Sequence, residues 1–236
     1  MRVLVIPDIH LKPWMFDKAV EVMNSGVADK AICLMDIPDD WNQEFNIDLY
    51  IQTFDKAIQF QGSFPDTLWC YGNHNLSYIW GLPESGFSSF VLSTVGRKLA
   101  ELRYALSDDS QLAYIHRIDN VLFMHGGLTR AFVKRFAPDT NYNDIDAVLS
   151  KINTLGCDEM WQDGSPIWYR PQFYSGELYK SEELLQVVGH TPVAAIRFDG
   201  NVLSCDVFST DLFRNPIGTQ EFAIIDTQTW ECQGIK

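Results

Sequence analysis

Gly72-Asn73-His74 follows the apolar run Leu68-Trp69-Cys70-Tyr71, so two polar side chains with lone pairs stand where a short buried strand stops. An amide beside an imidazole at a strand's carboxyl end is costly to bury and useful to aim at a ligand. Open α/β sheets place their chemistry in the crevice beyond those ends. Asn73 offers a hard carbonyl oxygen to a cation, and His74 offers a proton near neutral pH. Four further stretches repeat the arrangement: Asp8-x-His10 after RVLVI, Asp36-x-x-Asp39 after KAICLM, His125 after NVLFM, and Gly189-His190 after LLQVV. Of the five histidines in the chain, four fall at such positions. The fifth, His116, lies inside a strand beside Arg117 and reads as structural. A single histidine at a strand end is commonly a hydrogen-bonded loop residue. Five polar clusters at five strand ends of one chain call for a shared cause.

The candidate donors are oxygen and imidazole, with no thiolate among them. That set suits manganese first, with iron or zinc as alternatives, and argues against a cysteine-type structural zinc site. Asp8, His10, Asp36, Asn73, His125 and His190 are too many for one ion that must leave room for a substrate. Two divalent ions about 3.5–4 Å apart that share one carboxylate fit the count better, and such a pair activates a water and clamps a phosphoryl group.

The elements that must carry these residues follow from periodicity. RVLVI is a β-branched run of the kind buried on both faces of a parallel sheet, and Pro7 ends its hydrogen bonding. FDKAVEVMNSG has apolar residues at helical spacing and stops at Gly26. KAICLM is a second buried strand, IDLYIQTFDKAIQF a second helix, and Trp69 marks a third strand, which together make a βαβαβ unit. SSFVLSTVGRKLAELRYAL reads as a helix with Gly96 as its weak point. QLAYIHRI and NVLFMHGG read as two strands joined by a two-residue turn at Asp119-Asn120. Residues 128–183 are expected to form a helical and loop-like insertion over the site. The tail, GNVLSCDVF and QEFAIIDTQTWEC, is expected to add a second, antiparallel portion of sheet, and residues 1–236 to form one domain.

Composition narrows the function classes. Apolar residues make up 46% of the 236, enough for a sizeable core, and disorder is not expected. A formal net charge of -13 repels a polyphosphate backbone, which disfavours broad nucleic-acid binding but permits a phosphate site in which bound cations invert the local field. Five scattered cysteines without a C-x-x-C pair read as reduced thiols of a cytoplasmic protein. No run is long enough for a signal-peptide core or a membrane span, so no membrane partner is expected. Oligomeric state is not legible.

In order and spacing, Asp8-x-His10, Asp36-x-x-Asp39, Gly72-Asn73-His74, His125-Gly126-Gly127 and Gly189-His190 resemble the calcineurin-like metallophosphoesterases. The likeness is nearest to their phosphoprotein-phosphatase branch, which includes bacterial and phage Ser/Thr phosphatases and diadenosine-tetraphosphatases. The resemblance implies an α/β fold in which two central mixed β-sheets are flanked by helices in α-β-β-α layers. It implies that Asp8, His10 and Asp36 hold one metal, and that Asp36 bridges to a second held by Asn73, His125 and His190. It further implies that His74 protonates the leaving group, oriented by Asp39, and that Asn73 also touches substrate.

The chain departs from the family pattern in several places, among them the closing Gly189-His190-Thr191-Pro192 where many phosphodiesterase branches have Gly-His-x-His. Met35 stands where the family has a glycine before the bridging aspartate, and Asp40-Trp41 replace the Arg-Gly of the Ser/Thr phosphatases. Asn75 takes the place of the acid that often follows GNH. SPIWYRP resembles a segment that supplies a substrate-contacting arginine, which makes Arg170 the candidate; the competing reading is a surface arginine stacked on Trp168 or Tyr169. The expected function is hydrolysis of phosphomonoesters, in a phosphoprotein or a small phosphorylated substrate, by metal-activated water with His74 as general acid. The alternatives are a nucleotide or dinucleotide polyphosphate hydrolase and a non-catalytic binding module of the same fold.

Overall fold

The computed structural model describes residues 1–236. The chain begins with β1 (Arg2–Ile6), α1 (Trp14–Asn24), β2 (Lys30–Cys33), α2 (Ile47–Ser63), β3 (Leu68–Cys70), α3 (Asn73–Trp80), α4 (Leu92–Tyr104) and β4 (Leu112–Ala113). It continues through β5 (Ile115–Ile118), β6 (Val121–Met124), α5 (Arg130–Phe136), α6 (Ile145–Ile152) and α7 (Cys157–Met160). It ends with β7 (Leu185–Val188), β8 (Arg197–Asp199), β9 (Val202–Ser204), β10 (Phe222–Asp226) and β11 (Cys232–Ile235). The strands form two mixed sheets, in the orders β11-β10-β1-β2-β3-β4 and β5-β6-β7-β9-β8.

Alternation along β1 explains the layering. Val3 and Val5 face the second sheet, where they pack with Ile32, Cys70, Val121, Phe123, Leu185 and Val187. Leu4 and Ile6 face the other way, onto Phe16, Ala19, Phe54 and Ala57 of α1 and α2. The outer face of the second sheet packs Leu122, Met124 and Val188 against Phe132, Val133, Val148 and Leu149 of α5 and α6. The central strands of both sheets are therefore buried on both faces, which is why β1, β2, β3 and β6 read as continuous apolar runs rather than alternating ones. Each fully buried aliphatic side chain contributes about 1.5–3 kcal/mol relative to exposure, so these three cores carry the fold. No helix is long and apolar enough to cross a membrane.

Three local expectations are corrected. Residues 111–118 do not form one strand: β4 pairs with β3 in the first sheet, while β5 pairs with β6 in the second. The chain passes between sheets at Tyr114, where the side-chain oxygen of Asn153 accepts from the N–H groups of Tyr114 (3.1 Å) and Ile115 (3.0 Å). The tail does not add one antiparallel portion either. β9 lies parallel to β7 in the second sheet, whereas β10 lies antiparallel to β1 in the first. Finally, Asn73 and His74 are not in a loop but open α3, whose C-terminus is closed by Gly81 in a left-handed conformation (φ 66°). The turn at Asp119-Asn120 does join β5 to β6, with Ile118 opposite Val121 and Asp119 at φ 52°.

Candidate metal centre and active-site cavity

The loops that follow β1 and β2 extend the sheet beyond its strands. Ile9 N donates to Met35 O (3.1 Å), His10 N to Asp36 O (2.8 Å) and Leu11 N to Ile37 O (3.0 Å). This short ladder holds Asp8, His10 and Asp36 side by side. It requires left-handed backbone at four non-glycine residues: His10 (φ 42°), Leu11 (φ 54°), Met35 (φ 61°) and Asp36 (φ 40°). Each costs about 1–2 kcal/mol for a side chain with a Cβ. At Met35 the side chain is fully buried in the core beneath α1 and α2. Burial of that size returns about 1.5–3 kcal/mol, so a methionine is accommodated where the family has glycine.

Two glycines admit the carboxylates. A Cβ on Gly72 would stand 2.0 Å from Asp36 Oδ1, and a Cβ on Gly189 would stand 2.1 Å from Asp8 Oδ2. In the space these glycines leave, Asp36 Oδ1 accepts from His74 N (3.0 Å) and Asp8 Oδ1 accepts from His190 N (2.8 Å). The GNH and GH motifs are thus carboxylate seats as well as donors.

Five of the six metal candidates fall in two adjoining groups, and Asp8 lies beside them with Oδ1 3.8 Å from His125 Nδ1. His125 Nδ1–H donates to Leu34 O (3.1 Å), which turns its Nε2 toward the other candidates. That Nε2 lies 3.0 Å from Asp36 Oδ2, 2.9 Å from Asn73 Oδ1 and 3.0 Å from His190 Nδ1. Four lone-pair atoms thus face one point, and a single proton cannot satisfy them all. Ligand atoms of His10, Asp36 and His74, and separately of Asp36, His125 and His190, lie within 4.8 Å of one another, so Asp36 belongs to both groups. His10 Nδ1–H donates to Asp39 O (2.9 Å), which likewise leaves its Nε2 free. Asp8 Oδ2 is buried with no hydrogen-bond partner. An orphaned carboxylate oxygen beside converging imidazole and amide lone pairs fits divalent cations.

The electrostatics agree. Burial lowers an imidazole pKa, yet the carboxylates of Asp36 and Asp8 outweigh it and lift His125 to about 9. Burial, then the neighbouring His74 charge, brings His10 down to about 4. Burial raises Asp8, whereas at Asp36 burial is overcome by the surrounding histidines and the carboxyl is held well below its ordinary range. The cluster draws positive charge toward Asp36.

His74 sits beside this cluster. Its Nδ1–H donates to Asp39 Oδ2 (2.9 Å), which leaves the second ring nitrogen for the cavity that His74 lines. Burial would lower its pKa, but the Asp36 charge and the Asp39 hydrogen bond raise it to about 10. Asp39 is itself held by Tyr50 Oη–H (2.8 Å) and Tyr78 Oη–H (2.6 Å), both donating to Oδ1.

Several site residues were not foreseen. Tyr50 and Tyr78 lie inside helices, where apolar spacing hides them. Glu84 accepts from Asn73 Nδ2 at 2.7 Å through each oxygen and lies 3.5 Å from His74 Nδ1, so it turns the Asn73 carbonyl toward His125. No local pattern marks it. Asp206 is different: it follows β9 as Asp8 follows β1, and the strand-end rule could have found it. Burial raises its carboxyl to about 8. Asp40, where the phosphatases have arginine, accepts from Thr210 Oγ1–H (3.1 Å) and lies 3.7 Å from the buried ammonium of Lys12.

Arg170 is not stacked on the surface. Its Nη1 donates to His190 O and to Thr191 Oγ1 (3.2 Å), and it lines the cavity with Trp168. The cavity holds about 550 Å³ and runs from His10, Asp36, Asn73 and His190 past His74 to the wall at Trp41 and Phe213.

The fold and this donor set define a class. The family model for calcineurin-like phosphoesterases matches residues 1–216. No curated protein matches the chain in sequence. Among solved structures, a cold-active protein-tyrosine phosphatase of the psychrophile Shewanella sp. is similar at 14% identity and TM-score 0.58, covering all of this chain and 80% of that one. A protein serine/threonine phosphatase from Saccharomyces cerevisiae is similar at 11% identity and TM-score 0.54, over 95% of this chain and 72% of that one. A Thermus thermophilus protein is similar at 10% identity and TM-score 0.51, over 99% and 97%. These likenesses show the fold. The chain belongs to the calcineurin-like phosphoesterases, metal-dependent hydrolases of phosphate esters.

Proposed function

We propose that this chain is a dinuclear metal-dependent phosphatase that hydrolyses phosphomonoesters. Asp8, His10 and Asp36 would hold one divalent cation, and Asp36, Asn73, His125 and His190 the other, manganese being the favoured metal. When bound, such cations lower the pKa of a water and screen charge on a phosphoryl group. The observation that carries the reading is the Asp39–His74 pair, with Nδ1 held at 2.9 Å and the other ring nitrogen left to the cavity beside Asp36. An imidazole whose Nδ1–H is anchored on the Asp39 carboxylate is oriented to give a proton from its other nitrogen to a leaving oxygen.

The chain's other residues have matching tasks. Arg170 anchors one nitrogen on His190 O and turns its remaining N–H groups to equatorial phosphoryl oxygens, where a planar fork suits a dianion. Glu84 fixes the Asn73 amide, and Tyr50 and Tyr78 fix Asp39. As the P–O ester bond breaks, the alcohol oxygen takes the His74 proton and phosphate is left.

The test uses leaving groups of different basicity. An alkoxide needs a proton far more than a nitrophenolate does, and loss of a positioned acid costs about 10²–10⁴ in rate. His74→Asn should keep its metals, lose activity on an alkyl phosphate by that range, and lose much less on an aryl phosphate. Equal losses on both substrates would return His74 to a ligand or structural role.

A further inference from the structure

Opposite the metal candidates, the cavity is closed by a wall of two segments tied together. Trp41 Nε1–H donates to Thr210 O (2.9 Å), Thr210 Oγ1–H to Asp40 Oδ1 (3.1 Å) and Asn42 Nδ2 to Leu212 O (3.4 Å). The second segment is folded on itself: Ile217 N donates to Ser209 O (3.0 Å), and Thr210 bridges Pro216. Gly218 seats it against the body of the protein, since a Cβ there would stand 2.5 Å from Val193 O. The wall is a built surface, not a loose loop.

What it presents is apolar. Trp41 is 42% exposed, Leu212 59%, Phe213 85% and Ile217 42%, and all four line the same cavity as His74 and Arg170. Large apolar side chains gathered at the mouth of a polar cleft mark a ligand surface. The charges beside them matter as much. The wall carries Asp40 and Asp211, and Arg170 is the sole guanidinium among the lining residues. Asp40 is already engaged with Thr210, Trp41 N and Lys12, so it offers nothing to an anion.

We infer that this wall is the leaving-group subsite, and that it takes an aromatic or apolar, uncharged alcohol moiety rather than a polyphosphate. The inference rests on the phosphomonoester reading and adds the substrate class to it. A phosphoryl group fills only part of a 550 Å³ cavity, and this wall supplies most of the apolar lining of what remains. An aryl or arylalkyl group can stack on Trp41 and Phe213. A leaving group with further phosphates would set its charge against Asp40 and Asp211, while the wall's one arginine, Arg214, is not among the residues that line the cavity. In the reaction, water oxygen bonds to phosphorus, the ester P–O bond breaks, and the arylalkanol leaves with the proton, giving ROH and inorganic phosphate.

The experiment compares 3-phenylpropyl phosphate with propyl phosphate on the metal-loaded protein. The two leaving oxygens are nearly equal in basicity, so chemistry alone does not separate them. Expected is a kcat/KM about 10-fold or more higher for the phenylpropyl ester, carried by KM, because a buried aromatic ring is worth that much in transfer free energy. Trp41→Ala and Phe213→Ala should each remove most of that ratio, and Trp41→Phe should recover part of it. Non-hydrolysable 3-phenylpropylphosphonate and propylphosphonate, compared by calorimetry, give the same preference without turnover. If neither ester is hydrolysed but the phosphonate preference and its loss in the variants persist, the hydrolytic reading falls and the subsite stands. Equal kcat/KM for the two esters together with equal phosphonate affinities overturns the subsite. So does a higher kcat/KM for a dinucleoside tetraphosphate than for the phenylpropyl ester.

Discussion

Replacing Gly72 by alanine tests whether the GNH glycine is a carboxylate seat. The added Cβ would stand 2.0 Å from Asp36 Oδ1 and 2.7 Å from its Cγ, whereas ordinary contact begins at 3.4 Å, so the carboxylate must move by more than an ångström. Moving it breaks the bond that Oδ1 accepts from His74 N (3.0 Å) and draws Oδ2 away from His125 Nε2 (3.0 Å). A hydrogen bond to a charged group contributes about 1.5–3 kcal/mol. At about 2–4 °C per kcal/mol for a chain of this size, loss of the His74 N bond alone should lower the melting temperature by roughly 3–12 °C. Misplacement by an ångström costs about 10²-fold in turnover, and the shared ligand of both candidate cations is the group displaced. Gly96→Ala is the control. Nothing lies within 4 Å of a Cβ there, in the interior of α4, so the same chemical change should stabilise by about 0.5–1 kcal/mol and leave turnover unchanged. The assays are thermal melts by circular dichroism, metal content by mass spectrometry and turnover of an aryl phosphate. A Gly72→Ala protein with full metal content and turnover within a few-fold of wild type would refute the seat.

Other expectations follow from the same geometry. Arg170→Ala should lower kcat/KM for monoesters by about 10²-fold or more with metal content unchanged, and Arg170→Lys should recover little, because an ammonium lacks the fork. A rate within a few-fold of wild type would free Arg170 from that role. Tyr50→Phe with Tyr78→Phe removes both hydroxyls from Asp39 Oδ1, so turnover of alkyl phosphates should fall about 10-fold or more while aryl phosphates suffer less; equal losses would make the tyrosines merely structural. His116 is buried, donates through Nε2 to Trp69 O, and is lowered by burial from 6.5 to about 4. The unfolded chain therefore binds its proton first, so stability is full above pH 6.5 and is lost as pH falls toward 4. His116→Gln should remove about 2 kcal/mol of the stability lost between pH 7 and pH 5 in urea titrations, and an unchanged pH profile would contradict the assignment.

The first half of the fold was legible because burial on both faces writes itself into β1, β2 and β3 as unbroken apolar runs, with helical spacing between them. The passage between sheets was not, because no glycine or proline marks it. Asn153, distant in sequence, does there what a turn residue would do. α3 stayed hidden for a related reason: it begins on Gly72, which has no side chain to announce a cap, and its first residues are polar. The metal candidates stood out since each ends a strand and each has side-chain chemistry of its own. Glu84, Tyr50 and Tyr78 act through Asn73 and Asp39, so their meaning lies in a contact and not in a pattern.

β10 and β11 occupy residues 222–235, beyond the 216 that the family model spans, and yet β10 pairs along β1 from Arg2–Asp226 to Val5–Ala223. The strand from which Asp8 and His10 hang is interior only by virtue of that pairing. A chain cut where family likeness stops would leave a fully apolar edge with unpaired N–H and C=O groups, a template for association with other chains. Family boundaries drawn from motifs thus understate the folding unit here. The minimal autonomous piece is set by who hydrogen-bonds to β1, and its last indispensable contributors carry none of the chemistry.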